Sequence, residues 1–245
     1  CRRSPISMSA TADFLVEIGT EELPPKSLAA LEQAFAGYVQ EALGSAGLGY
    51  TSFSSFATPR RLAVLVSDLQ REQPRQKVEK RGPPVAVAFA PDGSPTRAAV
   101  AFAEGCGVSV EALGRVETPK GAWLFHSAES AGQPASVLLP VIVNAALAAL
   151  PIPRRMRWGS SDVEFVRPVH WVVMLLGDAV LPVPVLGITP GRETWGHRFH
   201  TQHQLSIAKP ADYPALLAGR GKVIPEFRVR RDRVQQLADA AAKDA

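Results

Sequence analysis

The longest uncharged stretch of the chain, residues 130–153, limits what this sequence can fold into. It contains the apolar run VLLPVIVNAALAAL and is closed by prolines. The apolar part is about 14 residues long, shorter than the ~20 residues that a membrane-spanning helix needs, and it includes Pro140 and Asn144. The segment therefore predicts a buried helix over residues 134–150, and no membrane span.

Hydrophobic periodicity before this helix predicts a β-α-β unit over residues 13–79. The runs FLVEIG (14–19) and RLAVLVSDL (61–69) have the pattern of strands. The helix between them is expected to begin near Pro25, with Glu21 and Glu22 close to its N-terminal end, where the helix dipole favours negative charge. Its predicted buried face consists of Leu28, Leu31, Phe35, Val39 and Leu43. Residues 1–12 are expected to be a disordered or expression-derived segment, because MSATADFLVEIG is typical of a natural start.

The following residues, 80–210, are expected to form a mixed α+β domain. The passage KRGPPVAVAFAPDGSP (80–95) predicts a loop, because it is rich in proline and glycine. RAAVAFAEGCG indicates a helix closed by glycine, and GAWLFHSAE indicates a strand. Strand-like runs then follow as VRPVHWVVMLLGD, AVLPVPVLGI, TWGHRF and QLSIA, and Pro182 and Pro184 place the second at a sheet edge.

The last segment, residues 211–245, is expected to be a basic helix that leads to C-terminal domains absent from this sequence. The predicted fold class is therefore α+β, with mixed helices and a mainly antiparallel sheet, ending in a truncated basic helix. The composition, 46% hydrophobic and 20% charged, is ordinary for a globular protein.

Positive charge is concentrated in two places. Residues 219–233 contain six Lys or Arg against two acidic residues, and residues 71–81 contain five against two, whereas the whole chain has a net charge of +4. Such patches suit a polyanion, although a solvated surface explains a single run equally well. The two cysteines are too few for a disulfide framework or a zinc site, which fits a cytoplasmic protein.

Sequence motifs exclude several chemistries. The chain has neither the G-x-S-x-G setting of a strained serine nucleophile nor the glycine patterns that bind nucleotide phosphates. His197, His200 and His203 are interpreted as surface histidines, because in a strand His200 would face away from the other two and no cysteine or carboxylate accompanies them. The acidic residues Glu17, Glu21 and Glu22 could do acid–base work or serve a structural role.

Five sequence blocks carry a resemblance to a known family. They are FLVEIGTEELPPKSL, FATPRRLAV, VEKRGPP, LPIPRRMRWGSSDVEFVRPVHWVVMLLGD and GHRFH. Together, and in this order, they resemble the beta subunit of the bacterial heterotetrameric glycyl-tRNA synthetase. The chain is similar to the N-terminal part of that subunit.

The resemblance implies a role in charging tRNA(Gly) with glycine. In that family the alpha subunit holds the catalytic core that uses ATP and Mg²⁺, so this chain is expected to hold no cofactor, no metal and no catalytic residue, and to be inactive alone. Its expected partners are the alpha subunit and tRNA(Gly), with a second beta subunit as a further candidate. The candidate tRNA-binding residues are Arg60, Arg61, Lys80, Arg81, Arg157, Arg167, His170, His197 and Arg198.

Local patterns refine this set. Trp158 and Trp171 are expected to anchor the MRWG…RPVHW stretch, while Arg167 and His170 turn towards a groove or partner. Arg167 is expected to be partly buried, with Asp162 or Glu164 as its carboxylate partner.

Two alternatives remain open. One is an editing-type domain that hydrolyses mischarged tRNA, with His170, His197 and the Glu17, Glu21 and Glu22 cluster as its candidates. Because glycine is the smallest amino acid, larger competitors can be excluded by size and the need for editing is weak. The other alternative is a structural scaffold without RNA contact.

Overall fold

The computed structural model describes residues 10–243 apart from residues 92, 119, 120 and 202. The strands of this part of the chain are β1 (Thr11–Thr20), β2 (Ser52–Thr58), β3 (Arg61–Gln70), β4 (Gln76–Pro84), β5 (Gly114–Thr118), β6 (Gly121–Ser130), β7 (Met156–Arg157), β8 (Glu164–Phe165), β9 (Val169–Leu176), β10 (Ala179–Val180), β11 (Glu193–Trp195) and β12 (Gln204–Ser206). The α-helices are α1 (Pro25–Ser45), α2 (Val85–Ala88), α3 (Arg97–Cys106), α4 (Ala135–Ala148), α5 (Tyr213–Gly219) and α6 (Phe227–Lys243).

The chain forms two compact units. Residues up to 73 and from 133 onward form the main unit, and residues 74–132 form the inserted unit. These boundaries differ from the predicted division at residues 79 and 210. The difference arises because β9, which follows the inserted unit, pairs with β1 in the sheet that begins the chain.

The N-terminal boundary also differs from the expectation. Residues 11 and 12, expected to be disordered or expression-derived, lie in β1 and pair with Gln70 and Leu69 of β3. The expectation for residues 1–9 lies outside the described residues.

The main unit is built on a five-stranded sheet with the order β10-β9-β1-β3-β2. Its strand pairs are antiparallel. The predicted strands β1 and β3 are neighbours in this sheet, but they run in opposite directions and so do not form a parallel β-α-β unit. An additional strand, β2, lies between α1 and β3. Its serines suggest a loop in the sequence, but Ser52 donates a hydrogen bond across the strand pair to Ser67 at 2.9 Å. The terminal strand β10 is short and lies at the sheet edge, as Pro182 predicts.

Helices α1 and α4 cover one face of this sheet. The predicted apolar face of α1 is confirmed, since all five of its residues are buried. The uncharged helix is also confirmed and runs from residue 135 to 148 with Pro140 inside it. The first turn of α1 contains no acidic residue. Glu21 and Glu22 therefore have a different role from the one predicted.

The opposite face of the sheet is covered by α5 and by residues near β12. Its apolar contacts include Leu15, Trp171, Ile207, Tyr213 and Leu217. Both sheet faces are thus buried, and the polar residues of this second face are enclosed.

The inserted unit contains a three-stranded antiparallel sheet with the order β4-β6-β5. The helix α3, capped by Gly107 in the left-handed conformation, and the strand β6 are confirmed. The predicted loop over residues 80–95 is only partly present, because β4 continues to Pro84 and the four-residue helix α2 (Val85–Ala88) follows it. An edge strand tolerates proline, and Gly82 leaves room for Phe102, whose ring would lie 2.5 Å from an added Cβ.

The segment after β10 has less strand than the sequence suggests. The strand in TWGHRF ends at Trp195, and residues 198–200 form a turn. The side-chain alternation of a strand, which would place His200 on the opposite side from His197 and His203, therefore does not apply. A helix is present in the predicted C-terminal segment as α6, which covers residues 227–243, and α5 precedes it. The helices and antiparallel sheets of the described chain confirm the α+β class. None of the described helices combines the length and apolar character needed to cross a membrane.

Candidate nucleic-acid interface

A buried carboxylate, Glu17, is the polar centre of the second sheet face. Its side chain is fully buried and accepts hydrogen bonds from Trp171 Nε1 at 2.5 Å and from Thr194 Oγ1 at 2.7 Å. Arg61 Nη1 lies 3.7 Å from the same oxygen. Because a buried charge is costly unless it is paired and hydrogen-bonded, these three partners explain how the carboxylate is accommodated.

Strand register brings these groups together. Gly19 is paired with Arg61 on one side and with Trp171 on the other. An added Cβ on Gly19 would lie 1.9 Å from the indole of Trp171, so glycine is required where this ring crosses the strand. The Arg60 and Arg61 guanidiniums lie 5.9 and 5.8 Å from the centroid of the same ring.

Arg61 belongs to the interior and is not a surface contact. Its side chain is only 3% exposed, and it donates hydrogen bonds to Trp195 O at 2.6 Å and Thr194 Oγ1 at 3.4 Å. The prediction that Arg61 contacts tRNA is therefore corrected, because its position between the sheet and β11 uses its charge to hold the fold together. The same correction applies to Glu17 as a candidate acid–base residue, since the carboxylate is enclosed.

Some buried polar atoms of this region lack a hydrogen-bond partner among the described residues. They are Thr20 Oγ1, Arg60 Nε, Arg61 Nε and Tyr213 Oη. Burial, and then the nearby Glu17 carboxylate, raise the pKa of Tyr213 well above its usual value.

A cleft opens beside this polar centre, at the ends of β1, β3, β9 and β11. It consists of two adjoining cavities of about 560 and 420 Å³ that share Arg60, Gly196 and Arg198. We call the larger one the histidine side, because His170 lines it, and the smaller one the phenylalanine side, because Phe199 lines it. Cationic residues around the cleft are Arg60, Arg61, Arg198, Lys222 and Arg230, and the carboxylates are Glu21 and Glu22.

Glu21 and Glu22 orient the cationic side chains of the cleft. His170 Nε2 lies 2.9 Å from Glu21 Oε1, and Arg60 Nη2 lies 3.9 Å from the same oxygen. Arg198 Nη1 lies 3.3 Å from Glu22 Oε1. Glu21 and Glu22 thus pair with side chains of the cleft and do not act at the N-terminus of α1. The expectation that His170 faces a groove is confirmed.

The phenylalanine side is formed by a tightly fixed backbone. His197 N donates to Gly221 O at 2.7 Å, and a Cβ on Gly196 would lie 2.6 Å from that carbonyl oxygen. Lys222 has φ 54°, a left-handed conformation that few residues other than glycine adopt. The loop at residues 220–222 therefore holds the lysine beside the turn at residues 198–200.

Arg230 closes this side from α6. It donates hydrogen bonds to Ala57 O at 2.7 Å and Ile224 O at 2.9 Å. Burial lowers its pKa below the usual value, while Glu32 and Glu226 act in the opposite direction. An arginine remains charged under these conditions, so it adds to the positive potential of the cleft.

The remaining predicted residues lie elsewhere. Arg157 pairs with Glu164 at 2.8 Å and Asp162 at 3.6 Å, so the carboxylates expected for Arg167 belong to Arg157 instead. Arg167 Nε donates to Glu22 O at 3.1 Å and lines a separate, smaller cavity.

Two of the predicted residues belong to the inserted unit. Lys80 Nζ donates to Gly105 O at 3.2 Å, and the Arg81 guanidinium lies 4.5 Å from the Trp123 ring centroid. From the predicted set, the cleft therefore brings together Arg60, His170, His197 and Arg198, with Arg61 buried in its wall.

Metal ligation has little basis in the described residues. The ring centroids of His197 and His200 lie 4.5 Å apart, and the two rings are tilted by 34°. Within the part of the chain that the structure describes, no group of three histidine, cysteine or acidic residues could hold a metal ion.

Sequence comparison identifies the family to which this arrangement belongs. The profile of the glycyl-tRNA synthetase beta subunit matches residues 14–245. The chain belongs to this family. Within the glycyl-tRNA synthetase beta subunit family, a glycine–tRNA ligase beta subunit of Marinobacter nauticus is 48% identical over 237 residues, covering 96% of this chain and 34% of the relative.

Two other family members give a similar result. The glycine–tRNA ligase beta subunit of Cronobacter sakazakii is 50% identical over 229 residues, and that of Hahella chejuensis is 48% identical over 231 residues. Each alignment covers 94% of this chain and 33% of the relative. The chain thus spans about a third of the length of these family members.

Sequence reasoning missed three cleft residues of this family member: Phe199, Lys222 and Arg230. Lys222 and Arg230 are in the basic segment 219–233, but nothing local indicates that this segment returns to the end of β3. Phe199 is within GHRFH, where an aromatic residue between basic ones is the only available signal.

Proposed function

We propose that this chain is part of the beta subunit of a glycine–tRNA ligase and contributes to tRNA binding and subunit assembly. The enzyme would charge tRNA(Gly) with glycine, using ATP and Mg²⁺ at an alpha subunit. The observation that carries the proposal is the cationic cleft of the main unit, in a chain that belongs to the beta-subunit family.

The chemistry of the cleft suits a polyanion better than a small neutral substrate. Arg60 and Arg198 line both cavities, and their carboxylate partners at 3.9 and 3.3 Å leave guanidinium donors free for phosphate oxygens. Lys222 has no hydrogen bond or ion pair in the described structure and adds a third cation. Phosphate contacts of this kind position RNA without reading its sequence.

Salt-dependent binding tests this proposal. Because each phosphate contact releases counterions, replacing Arg60 or Arg198 with alanine is expected to lower the slope of log affinity against log salt by roughly 0.7–0.9. Arg97→Ala removes the same charge from an exposed position in the inserted unit, and serves as the matched control. Affinity of tRNA(Gly) would be measured by fluorescence anisotropy at several salt concentrations.

The opposite result is equally clear. If Arg60→Ala and Arg198→Ala keep the wild-type slope, as Arg97→Ala should, the cleft does not contact tRNA. The chain would then be a structural scaffold. The slopes would be compared only among variants whose thermal melts match the wild type.

The proposal also includes the absence of an activation step in this chain. No phosphate-binding glycine motif occurs in the sequence, so we expect no glycine-dependent ATP–pyrophosphate exchange from the purified chain. Exchange above that of a heat-inactivated sample would contradict this expectation. Adding the alpha subunit and the remainder of the beta subunit provides the positive control.

Assembly with the alpha subunit is proposed from the exposed side of α4. Val137 and Val141 lie one turn apart on this helix and are 56% and 66% exposed. Exposed apolar side chains on an uncharged helix suit a protein partner. Val141→Glu is expected to weaken co-purification with the alpha subunit, while Val234→Glu, at an equally exposed valine of α6, serves as the control. A second beta subunit is the alternative occupant.

A second candidate function rests on the contact between His170 and Glu21. A histidine held by a carboxylate at 2.9 Å can act as a general base, and this pair lines the histidine side of the cleft. Hydrolysis of mischarged tRNA would use such a base. Release of a mischarged amino acid that His170→Ala abolishes would support this function, and equal rates with wild type and variant would exclude it.

A further inference from the structure

We propose that the phenylalanine side of the cleft holds one unpaired nucleotide of tRNA. Its base stacks on Phe199, and its phosphate is bound by Arg198 and Lys222. This inference rests on the proposed function and adds to it the class of RNA element that the site takes.

The exposed ring is the first reason. Phe199 is 77% exposed, the highest fraction among the large apolar side chains exposed in the described structure. The Arg198 guanidinium lies 5.8 Å from its centroid, and the His197 ring centroid lies 6.0 Å away. An exposed aromatic ring among cations has the chemistry of a platform for a nucleic-acid base.

The rigidity of the ring's backbone is the second reason. Phe199 N donates to His197 Nδ1 at 3.3 Å, and Thr201 N donates to His197 O at 2.9 Å. With Gly196 packed directly against Gly221, the turn is fixed at both ends. A platform held in place loses little conformational freedom when a base stacks on it.

Charge beside the ring is the third reason. Lys222 is exposed, is held in a left-handed conformation and has no ion-pair partner in the described structure. Arg198 has a single carboxylate partner, Glu22, itself an exposed residue. Both cations line the same cavity as Phe199. A phosphate bound there would be attached to a base at the ring.

The interior of the cavity fits a nucleoside. Its volume is about 420 Å³, and Pro59, Val223 and Ile224 form an apolar wall.

Stacking selects an unpaired nucleotide. In a duplex both faces of a base are covered by neighbouring pairs, whereas a base in a loop or at an end can be turned out and stacked on protein. We therefore expect the phenylalanine side to prefer single-stranded RNA over a duplex of equal length.

The test compares three ligands: tRNA(Gly), a single-stranded RNA octamer and the blunt duplex that this octamer forms with its complement. Phe199→Ala is expected to weaken the octamer roughly 5- to 150-fold, the loss associated with one stacked base, without changing the salt slope. Phe199→Trp keeps a stacking surface and should restore the affinity. Lys222→Ala should lower the salt slope by about one contact.

Controls separate binding from folding. Because Phe199 is exposed, Phe199→Ala should melt like the wild type, and Arg97→Ala should leave affinity unchanged. Duplex affinity should be the same for Phe199→Ala and the wild type.

The outcomes distinguish this inference from the proposed function. If Arg60→Ala lowers the tRNA salt slope while Phe199→Ala and Lys222→Ala bind all three ligands like the wild type, the nucleotide site is refuted and tRNA binding stands. If tRNA does not bind but the octamer binds in a Phe199-dependent manner, the proposed function fails, and the site is one for an unpaired RNA nucleotide that tRNA does not supply. Absence of binding to any ligand overturns both.

Discussion

Replacing Arg61 with methionine tests whether the buried polar centre holds the main unit together. Methionine has an unbranched side chain and keeps most of the packing of the arginine stem, but it removes the cation. Glu17 would then be a fully buried carboxylate without a charged partner. Trp195 O would lose the donor that now lies 2.6 Å away.

The expected cost follows from these contacts. Removing one partner of a buried ion pair typically destabilises a protein by about 3–5 kcal/mol, because the other charge is left without compensation. Glu17 would keep its hydrogen bonds from Trp171 and Thr194, which satisfy one of its oxygens well. The lower part of the range, about 3 kcal/mol, is therefore expected.

Urea unfolding followed by tryptophan fluorescence would measure this loss, with Glu17→Gln and the double variant completing a cycle. If the charges compensate each other, the double variant is more stable than the sum of the two single losses predicts. Arg157→Met is the matched control, because its ion pairs with Glu164 and Asp162 are exposed and should contribute only about 0–1 kcal/mol.

A loss below about 1 kcal/mol for Arg61→Met would refute the reasoning, since it would place this pair in the range of surface ion pairs. Strict additivity in the cycle would refute it independently. Either result would mean that Arg61 is free to serve a ligand in the cleft.

Further predictions concern other parts of the main unit. Phe35→Ala removes a ring that is 1% exposed in the α1 face and should cost about 3–5 kcal/mol in urea unfolding; a loss below about 1 kcal/mol would contradict this packing. Gly196→Ala would bring a Cβ to 2.6 Å from Gly221 O, so we expect a lower melting temperature and weaker RNA binding, and a variant unchanged in both would be inconsistent with the close approach. Since the raised pKa of Tyr213 favours the neutral phenol in the fold, its contribution to stability is complete below the unfolded pKa of about 10 and falls as the pH rises through the higher folded value. Tyr213→Phe should flatten this alkaline loss in urea titrations, and an unchanged pH profile would speak against it.

The sequence predicts those parts of the fold that depend on one helix or one strand. The buried face of α1 follows from side-chain periodicity, and the extent of α4 follows from its uncharged apolar run closed by prolines, although Val137 and Val141 leave one side of α4 exposed. The strand β2 was missed because serine is uncommon in isolated strands, and the hydroxyl pair of Ser52 and Ser67 that satisfies it exists only after pairing. Pro84 is tolerated because β4 is an edge strand, and that position is known only once the sheet has formed.

The candidate site is harder to predict because it depends on residues far apart in the chain. Arg60 and Arg61 are neighbours with the same side chain, yet Arg60 lies in the turn before β3 and is partly exposed, whereas Arg61 begins β3 and is buried against Glu17. The partner of Arg61 is 44 positions earlier, and no local pattern identifies it. The resemblance identified the family correctly, at the level of the subunit. The positions of the charged side chains, by contrast, follow only from the folded structure.

The chain segments on either side of the inserted unit, which follow β3 and precede α4, are hydrogen-bonded to each other. Gln73 N donates to Gln133 O at 3.0 Å, and Gln133 N donates to Gln73 Oε1 at 3.1 Å. The 59 residues between these two glutamines therefore begin and end at a pair of hydrogen bonds made entirely within the main unit. Loop-closure entropy grows only slowly with length, so these hydrogen bonds place little restriction on the length of the chain between residues 73 and 133. Sequences of very different size could occupy this position, and a short turn joining residues 73 and 133 should leave the cleft and its buried carboxylate in place.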